Sequence, residues 1–328
     1  MRLVVALGGN ALLKRGEPMT AATQRANVGR AAASLAALIG AGHQLVITHG
    51  NGPQVGLIAL QAAAGPKDGA YPLDILGAES EGMIGYLIEQ ELGNLLGADM
   101  SLATLLTQVR VDPADPAFQQ PSKPIGPIYD GAAKNRLETE RSWTFKLDND
   151  KWRRVVASPE PLEILEIKVI SMLVERGVVV ICTGGGGIPV VERPDASLVG
   201  IEAVIDKDRA SALLAKQLNA DMLLLLTDVD AVYTDFGTPQ ARPIARTGVG
   251  SLSANEFAAG SMRPKIEAAT RFASQTGHSA AIGRLEDAMA ILQGKAGTFI
   301  EPGTLDAHDG EIGAFSCGLE NGGRARNA

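Results

Sequence analysis

Short, nearly unbroken apolar runs alternate along this chain with longer stretches whose apolar residues return every three or four positions. The short runs are Leu3–Leu7, Gln44–Thr48, Val178–Thr183, Met222–Thr227 and Ala280–Gly283, and runs of this kind predict strands buried on both faces. The helical period occupies Thr20–Ile39, Met83–Leu96, Glu160–Glu175, Asp206–Leu218 and Pro264–Thr276. Within Met83–Leu96 the apolar positions are Ile84, Leu87, Ile88, Leu92 and Leu95, which form one stripe of a helix. Pro264 suits a first helical position and Gly277 a C-terminal cap. Met83 and Met172 fall on apolar helix faces and read as core. Strand and helix in alternation predict a parallel sheet joined by crossover helices.

Two segments depart from this rhythm. Pro121–Pro161 holds KPIGPIY, a polar middle and WRRVVASP, and without a helical period it reads as an inserted, hairpin-like lobe on the rim of the sheet. From Gly303 the chain is rich in glycine and ends GGRARNA, the composition of a poorly packed tail. No repeat of fixed period is visible.

Composition narrows the function classes. The 328 residues carry 30 Lys+Arg against 37 Asp+Glu, a net charge of -7, whereas a nucleic-acid binder carries a basic excess to neutralise phosphates. Aromatic residues are only 4%, too few for base-stacking platforms. The hydrophobic and charged shares of 45% and 20% are those of a packed core and exclude disorder. Cys182 and Cys317 are far apart, so neither a disulfide framework nor a cysteine zinc site is signalled. Ala31–Ala41 and Met222–Leu226 fall short of the roughly 18 to 20 apolar residues that span a bilayer. MRLVVALGGN loses its apolar run at Gly8 and shows no cleavage pattern, so it reads as the first strand rather than a signal peptide. A cytoplasmic protein is expected.

Three glycine-rich loops follow predicted strands: Gly8-Gly9-Asn10, Gly50-Asn51-Gly52 and Gly184 to Gly187. Glycine at the carboxyl end of a parallel strand lets backbone N–H groups approach a phosphate, and a following helix N-terminus adds its dipole. One such loop often only makes a turn, but three at corresponding strand ends point to an anion-binding crevice. The chain lacks G-x-x-x-x-G-K-[ST], which excludes a P-loop NTPase, and Gly50-Asn51-Gly52 with Gly56 misses the dinucleotide spacing by one residue. Lys207 and Lys265 each sit in the first turn of a predicted helix, where a cation opposes the helix dipole unless a bound anion reverses that cost. Asp206 reads as an N-cap and Asp208 as a partner that orients lysines. Lys123 lies between prolines in QPSKPIGP, on a stiff loop. His43, His49, His278 and His308 show no metal-ligand spacing, and His49 reads as structural. Cys182 reads as a buried strand residue.

LGGNALL, HGNGPQVG, ESEGMIGY, QPSKPIGPIY, WRRVVASPEP, ICTGGGGIPV, EAVIDKDRASALLA, LLLTDVDAVY and SMRPKIEAA occur in this order. Together they make the chain similar to bacterial carbamate kinase, in the amino acid kinase superfamily, from residue 1 to about residue 300. The glycine loops and helix-start lysine are common to the superfamily, while the insert around Lys123 points to carbamate kinase in particular. The resemblance implies a three-layer αβα sandwich with a mainly parallel central sheet and a small protruding insert, assembled as a homodimer. It implies one domain over 1–300. An N-lobe of about 1–205, with the insert at about 121–161, would face the phosphoryl acceptor, and a C-lobe of about 206–300 the nucleotide. Residues 301–328 would form a tail beyond the family's usual end.

The resemblance also implies the site. Gly8, Gly9, Asn10, Gly50, Asn51 and Gly52 would contact carbamate and the transferred phosphoryl group. Lys123, Lys207 and Lys265 would serve catalysis with Asp208 orienting the lysines. Gly184, Gly185, Thr227, Asp228, Val232 and Tyr233 would lie by ATP or ADP. No residue is assigned as a metal ligand, since Mg²⁺ would ride on phosphate oxygens. Carbamate already carries an anionic oxygen, so the reaction asks for positioning and charge stabilisation rather than a general base. Glu79, where the family pattern suggests Gln, and Thr238, where it suggests Lys, depart from the resemblance. The other readings are a kinase of another small acid in the superfamily, a non-catalytic nucleotide-binding regulator, and a nicotinamide-dependent oxidoreductase. The acid kinase would need an arginine or extra polar groups for a second carboxylate. The regulator would lack the full set of Lys123, Lys207, Asp208 and Lys265. Binding of NADH would identify the oxidoreductase.

Overall fold

A computed structural model of the chain describes residues 1–13, 16–65, 71–148, 150–254, 257 and 262–303. Its centre is an eight-stranded sheet. From edge to edge the strands are Arg246–Gly248, Thr298–Glu301, Ala280–Arg284, Met222–Thr227, Arg2–Leu7, Gln44–His49, Val179–Ile181 and Leu102–Thr104. Every neighbouring pair is parallel except Ala280–Arg284 with Thr298–Glu301.

The five predicted strands all lie in this sheet, and their unbroken apolar character has the expected cause. Val4, Ala6, Val46, Val180, Leu223 and Leu225 are buried on one face together with Leu214, Ile266, Phe272 and Ile170. Leu3, Val5, Leu7, Leu45, Ile47, Leu224 and Leu226 are buried on the other with Val28, Leu35, Ile84 and Ile88. The helices Lys207–Gln217, Met262–Thr276 and Ile167–Glu175 therefore cover one face, and Ala21–Gly40 and Leu73–Leu96 the other. This is a three-layer αβα sandwich. No described helix is long and apolar enough to cross a membrane.

Several elements differ from the sequence expectation. The helix expected from Met83 begins at Leu73. Its buried stripe of Leu73, Leu76, Ser80 and Ile84 continues upstream, with Ser80 and Gly77 interrupting the apolar signal. Glu160–Glu175 is not one helix: Glu163–Ile164 pairs antiparallel with Val109 and Arg110, and the helix starts at Ile167. Pairing with a ready strand edge outcompetes helix extension there. Met172 is 43% exposed and is not core, whereas Met83 packs against the buried cluster. The three short strands at 102–104, 246–248 and 298–301, at or next to the sheet edges, escape periodicity altogether.

The segment at 121–161 folds as a three-stranded antiparallel sheet, Lys123–Tyr129, Lys151–Val156 and Thr144–Asp148, with a helix at Gly131–Arg141. Asp130 caps that helix, accepting from Ala133 N at 2.7 Å. Leu137 is its buried residue, so the helix has no apolar period to read. The insert docks on helix Gly52–Ala64 by the contact of two glycines. A Cβ on Gly56 would lie 1.9 Å from Gly126 Cα, and Gly126 itself has φ of 71°. The tail expectation for 301–328 falls, from 304 onward, outside the described residues.

Candidate active site

The parallel strands end together. Leu7 is level with His49 and Leu226, Gly8 N donates to Leu226 O at 2.8 Å, and Gly50 N donates to Leu7 O at 3.1 Å. Gly8, Gly50 and Thr227 thus share one carboxyl edge, the side of an open α/β sheet on which ligands bind. The contacts are close: a Cβ on Gly8 would lie 3.0 Å from Leu226 O, and one on Gly50 would lie 3.2 Å from Lys207 Cδ. Gly9 and Gly52 open helices at this edge, Gly9–Leu12 and Gly52–Ala64. Asn10 belongs to the first of them, and its side chain lies outside the described residues.

The four residues expected to be catalytic converge beside these loops. Asp206 is the N-cap of helix Lys207–Gln217, its Oδ1 accepting from Asp208 N at 2.9 Å and Arg209 N at 3.3 Å. Its Oδ2 accepts from Lys123 Nζ at 2.5 Å. Asp208 receives Lys207 Nζ at 2.6 Å on one oxygen and Lys265 Nζ at 3.0 Å on the other. The helix is anchored to the sheet through Ser211, which donates to Lys207 O and lies 2.6 Å from Thr48 Oγ1. Asp206, Lys207, Asp208 and Lys265 are all buried.

Burial of charge at this density costs more than it returns unless each ion is paired. Burial alone would raise both carboxyls, yet Lys123 and Lys207 hold Asp206 well below the usual carboxylate range, and Lys207 and Lys265 do the same to Asp208. Burial lowers the Lys207 ammonium to about 8, with Asp208 opposing it and Lys265 reinforcing it. Burial also works against Lys265, but Asp208 outweighs it and raises that ammonium. Three lysines against two aspartates leave one positive charge beside the glycine loops.

The remaining expected residues divide in two. Thr227 donates to Asp228 Oδ1 at 3.0 Å, with Asp228 exposed. The Tyr233 hydroxyl donates to the Asp230 carboxylate at 3.1 Å, and its ring lies 6.1 Å from that of exposed Phe236. Val232 is fully buried and gives its N–H to Thr298 Oγ1, so its side chain is core and offers a ligand no surface. Gly184 and Gly185 lie away from this group. A Cβ on Gly184 would lie 2.4 Å from His49, and one on Gly185 would lie 2.1 Å from Asn51. Their strand is three neighbours from Met222–Thr227, roughly 14 Å at about 4.8 Å per strand. They belong with the Gly50 loop, a correction to grouping them with Thr227 and Tyr233.

Glu81 was not anticipated. It is 1% exposed, and its carboxyl accepts Gly184 N at 2.7 Å and Thr107 N at 3.2 Å, fixing the third glycine loop. The signal was present in ESEGM: Glu79, the departure noted there, is exposed, whereas Ser80 and Glu81 fall on the buried stripe. Ser80 Oγ accepts from Asn51 Nδ2 at 2.8 Å, so the helix holds two loops. Thr238 closes a turn, its hydroxyl donating to Asp235 O and accepting from Gln240 N.

Burial raises the Glu81 carboxyl to about 8, against the N–H donors of Gly184 and Thr107. The folded chain therefore binds more protons than the unfolded chain between the ordinary carboxyl range and pH 8, and stability falls as pH rises through that window. The melting temperature of Glu81→Gln is expected to gain on the wild type as pH increases from 6 to 8. A constant difference across that range would refute the assignment. Burial drives the His49 imidazole to about 4, aided by Lys207 and opposed by its contact with Gly50 O. Neutral and enclosed, His49 reads as structural.

Comparison with known proteins identifies the family. Residues 1–284 match the amino acid kinase family. A carbamate kinase of Rhizobium meliloti (strain 1021) is 55% identical over 308 residues, covering 93% of this chain and 95% of that protein. A structure of carbamate kinase from Giardia lamblia bound to citric acid superposes with TM-score 0.86 at 41% identity, covering 92% of this chain and 98% of that one. The same enzyme bound to AMP-PNP superposes with TM-score 0.83 at 42% identity over the same shares. With the anion-suited crevice, the clustered lysines and similarity over nine-tenths of its length, the chain belongs to the amino acid kinase family as a phosphotransferase of the carbamate kinase group.

Proposed function

We propose that the protein transfers a phosphoryl group reversibly between ATP and carbamate, making ATP from ADP and carbamoyl phosphate in one direction. The observation that carries this reading is the cluster of half-buried Lys123 with buried Asp206, Lys207, Asp208 and Lys265 at the edge where three glycine loops converge. Its net positive charge suits a phosphoryl group in transfer, whose charge must be stabilised in line between two oxygens. Carbamate needs no base to become a nucleophile, and the cluster supplies none.

In this reading Lys207 and Lys265 clamp the phosphates, Asp208 fixes the spacing of their ammonium groups, and Lys123 reaches the group in transfer from the insert. Gly8, Gly9, Asn10, Gly50, Asn51 and Gly52 bind the acceptor side on an N-lobe of about 1–205. Thr227, Asp228 and Tyr233 bind the nucleotide on a C-lobe of about 206–300. The relative bound to AMP-PNP supports an adenine nucleotide as partner. Mg²⁺ enters as part of the nucleotide substrate. Asp206 and Asp208 are both engaged by ammonium groups, and the described residues contain no group of three His, Cys, Asp or Glu that could hold a metal. The donor set therefore suits an ion carried on phosphate oxygens. A homodimer in the cytoplasm is part of the same proposal.

The test is formation of ATP from ADP and carbamoyl phosphate with Mg²⁺, coupled to hexokinase. Robust activity is expected. A folded protein that stays silent with these substrates would refute the assignment.

A further inference from the structure

A cavity of about 610 Å³ opens between the insert and the body of the protein. None of the lysines or glycine loops of the crevice lines it. Its walls are mixed, with Leu73, Leu76 and Val156 buried behind them and Arg141, Thr144, Arg154 and Glu202 among the polar residues, and its size is that of small-molecule sites. One polar group stands out. Arg154 is only 8% exposed, and its guanidinium lies 3.8 Å from the ring centroid of Trp143. Among the described residues it has no carboxylate at ion-pair distance and no hydrogen-bond acceptor.

A buried guanidinium without an anion is expensive, and burial lowers Arg154 to about 10 despite the opposing pull of Glu202 and Tyr129. Stacking on Trp143 covers one face of the guanidinium and leaves its planar fork of N–H donors for a bidentate acceptor. The other charged residues on the cavity are Arg141, which donates to Ala63 O, and exposed Glu202, which accepts Leu73 N at 2.8 Å. Two cations and one anion are balanced by a single negative charge, so a polyanion is disfavoured.

We propose that this cavity binds a small monocarboxylate, its carboxylate on Arg154 beside Trp143. The site is coupled to the crevice by strand register. Arg154 is level with Ile125, and Val156 with Lys123, on the neighbouring strand. An occupant braces the strand that presents Lys123.

The test uses benzoate as probe and its neutral isostere benzamide as control, on the full chain. Trp143 lines the cavity and Trp152 is the only other tryptophan, so intrinsic emission reports occupancy. A saturable change with benzoate is expected, about tenfold or more weaker with benzamide, lost in Arg154→Met and kept in Lys207→Ala. A change in melting temperature with benzoate but not benzamide gives the same answer on wild-type protein if Arg154→Met does not fold. Equal responses to the two probes, no response, persistence in folded Arg154→Met, or loss in folded Lys207→Ala would each overturn the proposal. None of these readouts depends on turnover, so they stand apart from the test of phosphoryl transfer.

Discussion

Lys207→Ala is expected to lower turnover by about a hundredfold to a thousandfold or more, the range for removing one preorganised charge donor from a phosphoryl or acyl transfer site. The side chain is enclosed rather than draped on the surface. Its stem lies against Gly50, and its ammonium is held 2.6 Å from Asp208. Alanine leaves Asp208 with Lys265 alone and lowers the local charge from one positive to neutral. The fold should survive, because Asp206 still caps the helix through backbone N–H groups and Ser211 still ties it to Thr48. Thermal melting alongside steady-state kinetics separates the two effects, and near-wild-type turnover would remove Lys207 from the mechanism. A pH profile adds an independent check. With its ammonium lowered to about 8, Lys207 is charged below that pH and neutral above it. The value of kcat/KM, which reports groups of the free enzyme, should fall as pH rises through about 8. Lys207→Arg should lose that fall, since a guanidinium stays protonated.

Those features were legible in the sequence because each broke a local rule. A lysine in the first turn of a helix opposes the dipole, and Lys207 and Lys265 both do so. Glycines clustered after apolar strands exceed what turns require. Pairing between residues 57 positions apart, as in Asp208 with Lys265, followed from both being placed at helix starts on one sheet edge. What the sequence concealed depended on contacts without a period or a motif. Glu81 is an acid on a buried stripe whose purpose appears only when Gly184 and Thr107 arrive from distant strands. Arg154 alternates in WRRVV with residues of the other face, and nothing local distinguishes it from Arg153. Gly184 and Gly185 sit apart from Thr227 and Tyr233 for a topological reason. Strand order, Met222–Thr227 beside Arg2–Leu7 and Val179–Ile181 beyond Gln44–His49, is not written in any single loop.

The insert supplies the second large effect. Lys123 is useful only if its strand is held at the right height, and two glycines set that height. A methyl group on Gly56 would meet Gly126 Cα at 1.9 Å and Gly126 N at 2.1 Å, and both are backbone, which no rotamer change can relieve. Gly126 is in the left-handed region at φ 71° within a strand whose register shifts between Ile125 and Ile128, so its own geometry is fixed. Gly56→Ala must therefore push the strand off helix Gly52–Ala64, and Lys123 Nζ leaves Asp206. Turnover is expected to fall about as far as in Lys123→Ala, by about a hundredfold, with a loss of stability typical of overpacking, about 1–3 kcal/mol. Because the substitution acts on the reaction through Lys123, combining the two should cost little more than either alone, the signature of one shared pathway. Full additivity would mean that Gly56→Ala damages the crevice by another route, through the helix that begins at Gly52. Unchanged turnover in Gly56→Ala would mean that the insert reaches its working position without this contact, and the height of Lys123 would then be set by Asp206 alone.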